Sequence, residues 1–182
     1  MSLVILTEEP SMRTTIEHLL PKLGIDPATV TIIAHQGKTD LKRSIPRKLK
    51  AWQTPGTRFL ILHDNDRGDC KANKASLTKL VEGAGKQAVS KVRIVCQELE
   101  AWFLADIRAL RASGYLTAVK PPSFARKDPD TIQYPTKEMQ RLRPGYGKGI
   151  GSSEISLHLD VENERSVSFR HTIQAIRDLT AA

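Results

Sequence analysis

Three aspartates stand close together in the segment RFLILHDNDRGDC, residues 58–70. Asp64 and Asp66 come directly after an apolar run, and Asp69 follows shortly afterwards. Neighbouring carboxylates repel one another unless a cation compensates them, and their oxygens suit Mg²⁺ or Mn²⁺. Asp64 and Asp66 are therefore candidate ligands of a metal ion that handles phosphate, whereas Asp69 is predicted to cap the next helix.

Other acidic motifs fit this segment less well. An EF-hand calcium loop requires Gly at its sixth position and Glu at its twelfth, where a loop starting at Asp64 has Asp69 and Ala75. A phosphatase of the haloacid dehalogenase type carries its aspartate pair on the first strand, whereas this pair follows a later one. An acidic turn without any ligand stays open as the alternative.

Further acidic residues follow two other stretches that are typical of strands. Glu8 and Glu9 follow the first such stretch of the chain, and Glu98 and Glu100 follow the fourth. In an open parallel sheet all strands end at the same edge, and ligands bind in the crevice outside that edge. We therefore expect these acids to converge with the aspartate pair.

Glu98 and Glu100 are predicted to begin a helix. Residues two apart in a helix lie on nearly opposite sides, so at most one of them is expected to point into the site. Glu100 is the predicted additional metal ligand, and Glu98 is the lesser candidate. The alternative is a structural one, because the dipole of a helix favours acids at its N-terminus.

Three basic residues are candidates for binding a phosphate. His35 and Lys38 stand at the end of the second predicted strand, where Gly37 allows the backbone to approach a ligand closely. Lys148 lies in the glycine-rich segment GYGKGIG, which is predicted to be a flexible loop. Ordinary surface exposure is the alternative for each of the three.

The elements that must position these residues alternate along the chain. Apolar, β-branched stretches predict strands, and four-residue spacing of apolar positions predicts the helices between them. The strands are expected at 2–7, 29–35, 57–64 and 90–97, and the helices at 10–23, 38–52, 72–84 and 98–114. This order predicts an α/β protein with a mostly parallel four-stranded sheet and helices on both faces.

The remainder of the chain has a different composition. Residues 115–150 are rich in proline and glycine and are expected to be mainly loop. A helix capped by Ser152 or Ser153 and a closing helix over 168–181 should follow. We expect an α/β core over 1–114, with 115–182 packing on it as part of a single domain.

Composition narrows the class of partner. The formal net charge of +8 favours a polyanion such as nucleic acid, and many of the cations fall in 38–50 and 126–148. No apolar run approaches the ~18 residues of a membrane span, and no signal segment is seen, so we expect a cytoplasmic protein that needs no membrane. Cys70 and Cys96 are expected to be free thiols.

Several motifs together resemble a known superfamily. LTEEPSM and LHDND resemble the Glu and Asp-x-Asp motifs of TOPRIM domains, the catalytic module of topoisomerases, primases and OLD-type nucleases. HQGKTDL, DNDRGDC, ELEAWFLAD and RSVSFRHTIQAI resemble the bacterial domain-of-unknown-function family DUF4276. The resemblance implies a TOPRIM-like, Rossmann-like fold, with Glu8, Asp64 and Asp66 as catalytic metal ligands. It also implies an ATPase partner and a role in anti-phage defence.

One residue departs from the TOPRIM pattern. Glycine normally follows the motif glutamate, whereas this chain has Glu9, which could alter how closely a phosphate approaches. Two functions are therefore predicted. The first is a Mg²⁺- or Mn²⁺-dependent nuclease, and the alternative is a non-catalytic TOPRIM-like module that binds nucleic acid or an ATPase partner.

Overall fold

The computed structural model describes residues 2–181, and a parallel four-stranded sheet forms its centre. The strands lie in the order β2-β1-β3-β4, and all three neighbouring pairs are parallel. Their bounds are β1 (Ser2–Thr7), β2 (Val30–Ala34), β3 (Thr57–Asp64) and β4 (Ser90–Val95). The predicted strands and the predicted parallel sheet are therefore confirmed.

Eight α-helices are formed within residues 2–181. They are α1 (Pro10–Lys22), α2 (Lys38–Ala51), α3 (Cys70–Glu82), α4 (Glu100–Ala105), α5 (Ile107–Ala112), α6 (Pro135–Leu142), α7 (Lys148–Ile155) and α8 (Val167–Thr180). Asp69 caps α3, since its carboxylate accepts a hydrogen bond from the backbone N–H of Ala72 at 3.0 Å. The predicted helix cap is thus confirmed.

Helices cover both faces of the sheet, as predicted. Alternate residues of β1 and β3 point to opposite faces, so each central strand contributes to two apolar clusters. Leu3 and Ile5 pack with residues of α1, α4 and α8, whereas Val4 and Leu6 pack with residues of α2 and α3. This double coverage explains why β1 and β3 are nearly continuous apolar runs.

The predicted helix over 98–114 is wrong in one respect, because it is broken into α4 and α5. The backbone leaves the helical region at Asp106, with φ −109° and ψ 87°. The Asp106 side chain then accepts one hydrogen bond from the backbone of Ala109 at 2.9 Å and another from Asp160 at 2.8 Å. The second bond comes from a distant part of the chain, and such a tertiary partner cannot be inferred from helix periodicity.

The segment 115–150 contains more regular structure than the predicted loop. It includes α6 and the start of α7. The prediction that Ser152 or Ser153 caps the following helix is wrong. That helix already begins at Lys148, and the Ser152 hydroxyl donates within it to the carbonyl of Gly149 at 2.9 Å. Lys148 is therefore held in a first helical turn rather than in a flexible loop.

The order of the strands makes the carboxyl ends of β1 and β3 the switch point of the sheet. The chain leaves β1 towards β2 on one side and returns across the sheet to β3 on the other. The connections on either side of such a switch point diverge and leave room for a ligand.

In residues 2–181, no helix combines the length and the apolar character that crossing a bilayer would need.

Candidate functional site

Glu8 directly follows β1 and is bound to the neighbouring strand β3. It is 8% exposed, and its Oε2 atom accepts a hydrogen bond from the backbone N–H of Asp64 at 3.1 Å. The same oxygen lies 3.5 Å from Nδ1 of the buried His63. Burial raises the pKa of Glu8 to about 7, and the charges of Asp66 and Glu9 add to the increase. This carboxyl can therefore gain or lose a proton near neutral pH.

Asp64 is the last residue of β3 and is 3% exposed. Its Oδ1 atom has no hydrogen-bond partner within residues 2–181. Burial raises the pKa of Asp64 well above its usual range, and the negative charge of Glu9 is the next largest cause. A buried carboxylate oxygen without a donor is costly, so a cation at this position would relieve an existing penalty.

Glu100 is fully buried in the first turn of α4. Its Oε1 atom accepts a hydrogen bond from the hydroxyl of Tyr146 at 3.0 Å. In the part of the chain that the structure describes, its Oε2 atom has no hydrogen-bond partner and lies 4.0 Å from Nζ of Lys148. Burial raises the pKa of this carboxyl as well. Glu100 therefore presents a second buried oxygen that lacks a donor.

Lys148 brings a positive charge among these carboxylates. Its Nζ atom donates to Glu9, at 3.1 Å from Oε1 and 3.4 Å from Oε2. Burial lowers the pKa of Lys148, but the charges of Glu100 and Glu9 outweigh it and hold the pKa above its usual value. Lys148 is therefore the counter-ion of this part of the site, and its predicted contact with a substrate phosphate stays a prediction.

Asp66 lies in the turn after β3, beside the first residue of α2. Its backbone has a positive φ of 49°, and its N–H donates to the carbonyl of Gln97 at 2.9 Å. Its Oδ2 atom lies 3.5 Å from Nζ of Lys38. The turn is thus anchored to the chain after β4, and it presents a partly exposed carboxylate and an exposed lysine side by side.

Glu98 has partners that differ from those of Glu100. Its Oε1 atom accepts from Arg67 at 3.2 Å, and its Oε2 atom accepts from the backbone N–H of Thr136 at 2.9 Å. The Thr136 hydroxyl donates to the same oxygen at 2.6 Å. The separate partners agree with the expectation that the two glutamates face different ways, and Glu98 is a brace between the Asp66 turn and α6.

His35 follows β2, but its ring is turned inwards. It is 3% exposed, and Nδ1 lies 2.8 Å from the carbonyl oxygen of Thr7. The neighbouring Gly37 has a φ of 99°, and its N–H donates to the carbonyl of Glu8 at 2.9 Å. The end of β2 is thereby fixed to the end of β1. The predicted contact of His35 with phosphate stays a prediction.

The model of the family described as Domain of unknown function (DUF4276) matches residues 7–177. The chain belongs to this family. Comparison with functionally curated proteins found no match.

Two solved structures are similar to this DUF4276 protein over nearly its whole length. The C-terminal region of the Burkholderia pseudomallei OLD protein matches with a TM-score of 0.60 and 17% identity, covering 98% of each chain. The C-terminal region of the Xanthomonas campestris pv. campestris OLD protein matches with a TM-score of 0.59 and 18% identity, covering 97% of this chain and 94% of that one. The TOPRIM-like α/β fold is therefore confirmed.

Two residues of the site, Tyr146 and His63, are not found by sequence reasoning. Glu9 is expected at this edge from the sequence, but its pairing with Lys148 is not. Tyr146 binds Glu100, and His63 lies beside Glu8. Tyr146 stands two residues before Lys148 in GYGKGIG, but nothing in that motif indicates that its partner lies on α4.

The carboxylates meet at one edge of the sheet, although they are not gathered around a single point. Across residues 2–181, no group of three or more His, Cys, Asp or Glu side chains is arranged to hold a metal ion. Glu9 and Glu100 face Lys148, whereas Asp66 faces Lys38.

Cys70 and Cys96 are free thiols, as predicted.

Proposed function

We propose that this DUF4276 protein is a divalent-metal-dependent phosphodiester hydrolase that acts on nucleic acid. The observation that carries the proposal is the pair of buried carboxylate oxygens, Asp64 Oδ1 and Glu100 Oε2, that lack a donor within residues 2–181 at the switch point. Buried carboxylate oxygens without a donor at a switch point are characteristic of a cation site. The net charge of +8 supports a polyanionic substrate.

The side chains at the switch point fit Mg²⁺ or Mn²⁺ by their chemistry. All candidate ligands are carboxylates, namely Glu8, Asp64, Asp66 and Glu100, and three of them have raised pKa values because they are buried. Positive charge placed there would offset the cost of ionising them. When bound, such an ion supplies Lewis-acid polarisation of phosphate oxygens and neutralises the charge that develops on them.

The residues of the chain supply binding and proton transfer. Lys38 lies beside Asp66 and Lys148 lies beside Glu9, and both can orient a phosphate by charge. Glu8 has a pKa of about 7, which suits a group that takes a proton from an attacking water. Its Oε2 atom is occupied by the N–H of Asp64, so we assign the proton to Oε1.

A second function is favoured by a different observation. Lys148 already compensates Glu9, and the acids of residues 2–181 are not grouped around one metal position. This arrangement suits a non-catalytic TOPRIM-like module that binds nucleic acid or an ATPase partner. In that case the acidic edge is retained for metal-supported folding or for regulation, and turnover is absent.

Cleavage assays with matched aspartate variants separate the two functions. Asp64→Asn and Asp66→Asn should each lower cleavage of DNA or RNA at least about 100-fold, because each removes a charge that the metal requires. Asn tolerates the positive φ of residue 66, so the turn should be preserved. Asp69→Asn is the control from the same segment, since Asn also caps helices and activity should be retained.

Full cleavage by both Asp64→Asn and Asp66→Asn, or activity that persists in EDTA, would contradict the proposed metal chemistry. Binding of nucleic acid with no turnover in Mg²⁺ or Mn²⁺ would establish the non-catalytic function instead.

We also propose that the protein works with an ATPase partner in an anti-phage defence system. The support is that the similar solved structures are C-terminal regions of OLD proteins, which this chain matches at nearly full length. Co-purification with an ATPase encoded beside the gene is expected. Phage should plate less efficiently on cells that carry both genes than on cells without them. Equally low plating on cells that carry the Asp64→Asn variant would refute a catalytic role in defence.

A further inference from the structure

A basic pocket lies beside the candidate site, between the segment 123–134 and α6. It has a volume of about 450 Å³, and its charged lining residues are Lys127, Lys137, Glu138 and Arg141. Arg141 is paired with Glu138. Lys127 and Lys137 are exposed and take part in none of the ion pairs found across residues 2–181. The lining of the pocket therefore carries two positive charges, on Lys127 and Lys137, that no ion pair within residues 2–181 neutralises.

Tyr134 holds two cations at the rim of this basic pocket. Its side chain is 47% exposed, and Nζ of Lys137 lies 4.5 Å from the centre of its ring. The guanidinium carbon of Arg67 lies 4.8 Å from the same ring. Both distances are within the range of cation–π attraction, so the ring fixes the positions of two side chains that would otherwise be mobile.

The basic pocket is joined directly to the turn that carries Asp66. Arg67 follows Asp66 in the chain and is also paired with Glu98. Glu98 in turn accepts two hydrogen bonds from Thr136, in the first turn of α6. The brace formed by Glu98 therefore fixes the distance between the pocket and the Asp66 carboxylate.

We propose that the basic pocket binds the phosphate backbone of a nucleic-acid strand on one side of the phosphodiester held at Asp66. The substrate class assigned here rests on the proposed function. Phosphates bind exposed lysines and arginines by displacing counterions, and a concave site lined by several of them can follow a backbone. Lys127 and Lys137 are assigned to phosphate contacts, and Tyr134 is assigned to positioning Lys137 and Arg67.

The basic residues of α2 form a second cluster of cations, which serves as a control for the basic pocket. Arg43 and Arg47 are exposed on α2, which begins at Lys38. With a rise of about 1.5 Å per residue, Arg47 lies ~13 Å along the helix axis from Lys38. Arg43 is closer, at ~8 Å by the same rise, but both arginines lie further along α2 than Lys38, and we assign them no contact with the strand.

Binding measured without cleavage tests this assignment. A fluorescently labelled single strand of DNA is titrated with the protein in EDTA, and the measurement is repeated with RNA and with duplex DNA. Lys127→Ala/Lys137→Ala should weaken binding about tenfold and lower the slope of log K against log salt by ~1.4 for a single strand. Arg43→Ala/Arg47→Ala removes the same charge and should change affinity less than about twofold.

Two outcomes overturn the proposal. The first is equal weakening by the two double variants, or weakening by the α2 variant alone. The second is the absence of binding by the unaltered protein to all three nucleic acids. If the pocket variant alone weakens binding but no cleavage is seen in Mg²⁺ or Mn²⁺, the pocket assignment stands and the proposed hydrolase function fails.

Tyr134 is tested separately from the lysines. Tyr134→Phe retains the ring and should bind as the unaltered protein does, whereas Tyr134→Ala should weaken binding about threefold. Thermal unfolding of both variants checks that they fold. Unchanged binding by Tyr134→Ala would overturn the positioning role of this residue.

Discussion

Buried carboxylates without donors define the candidate site at the scale of single residues. Asp64 and Glu100 are each almost inaccessible to solvent, yet each has one oxygen that lacks a hydrogen-bond donor within residues 2–181. Burial of this kind favours the protonated form of a carboxyl and disfavours the charged one. The protein therefore holds these acids at a cost to its stability, which is typical of residues kept for function.

The positions of the acids could be predicted from the sequence, but their partners could not. Asp64 and Glu8 follow apolar strands, and parallel strands end at one edge, so their convergence is a local inference. The pairing of Glu9 with Lys148 joins residues far apart in the chain. Such a contact depends on where α7 packs, which no pattern near either residue encodes.

The pH dependence of stability provides a prediction for Glu8. Its folded-state pKa is raised from 4.5 to about 7, so the folded protein holds this proton more tightly than the unfolded chain does. The stabilisation is present below pH 4.5 and is lost as the pH rises through about 7. In EDTA, the free energy of unfolding of the unaltered protein should fall by about 3 kcal/mol relative to that of Glu8→Gln as the pH rises through this window. Urea unfolding at several pH values measures the difference, and parallel pH profiles would refute it.

At the scale of elements, α7 is positioned by a close contact between a glycine and an aromatic ring. A Cβ atom added at Gly151 would lie 2.1 Å from Cε2 of Tyr146, closer than any real contact. Tyr146 is buried and bound to Glu100, so its ring has little freedom to move aside. The absence of a side chain at Gly151 thus allows α7 to pack against the ring of Tyr146, which precedes the helix, with Lys148 at the site.

Two glycines of the same helix provide a matched test. Gly151→Ala should destabilise the protein by about 1–3 kcal/mol, because the new methyl group overlaps the Tyr146 ring. Gly149→Ala, in the first turn of α7, meets nothing within 4 Å and should be neutral or slightly stabilising, because alanine has the higher helix propensity. Urea unfolding of both variants measures the two effects. Equal stability of the two variants would show that the ring moves freely.

Helix periodicity predicted the elements of this chain better than their ends. The apolar spacing over 98–114 correctly indicates a helical segment, yet Asp106 divides it because its carboxylate binds the backbone of Asp160. A tertiary hydrogen bond of this kind overrides local propensity. The start of α7 at Lys148 was missed for a similar reason, since the glycines around it are typical of loops.

At the scale of the whole molecule, the last helix, α8, packs against the sheet. Phe169, Ile173, Ile176 and Leu179 of α8 are buried in the cluster that also contains Leu3 and Ile5 of β1. The first and last elements therefore share one apolar core. The alternation of strands and helices made the α/β class predictable, and the apolar spacing of α8 predicted that these four side chains pack on the core. Neither pattern specified β1 as their partner.

Removal of residues 167–182 should prevent stable folding. Burial of the four large side chains of α8 contributes ~6–12 kcal/mol, which is comparable with the whole stability of a typical domain. We expect the shortened chain to lose its near-ultraviolet circular dichroism and its cooperative thermal transition, while the full chain retains both. A shortened chain with a native spectrum and a sharp transition would contradict a shared core.

The ion pair between Glu9 and Lys148 joins two parts of the chain that are synthesised at different times. All four strands, with Glu8, Glu9, Asp64 and Glu100 at their ends, emerge from the ribosome before Lys148 does. Until α7 has been translated and docked, these acids face one another without their lysine. Any chemistry that requires Lys148 is therefore withheld from chains in which α7 has not yet been translated and docked.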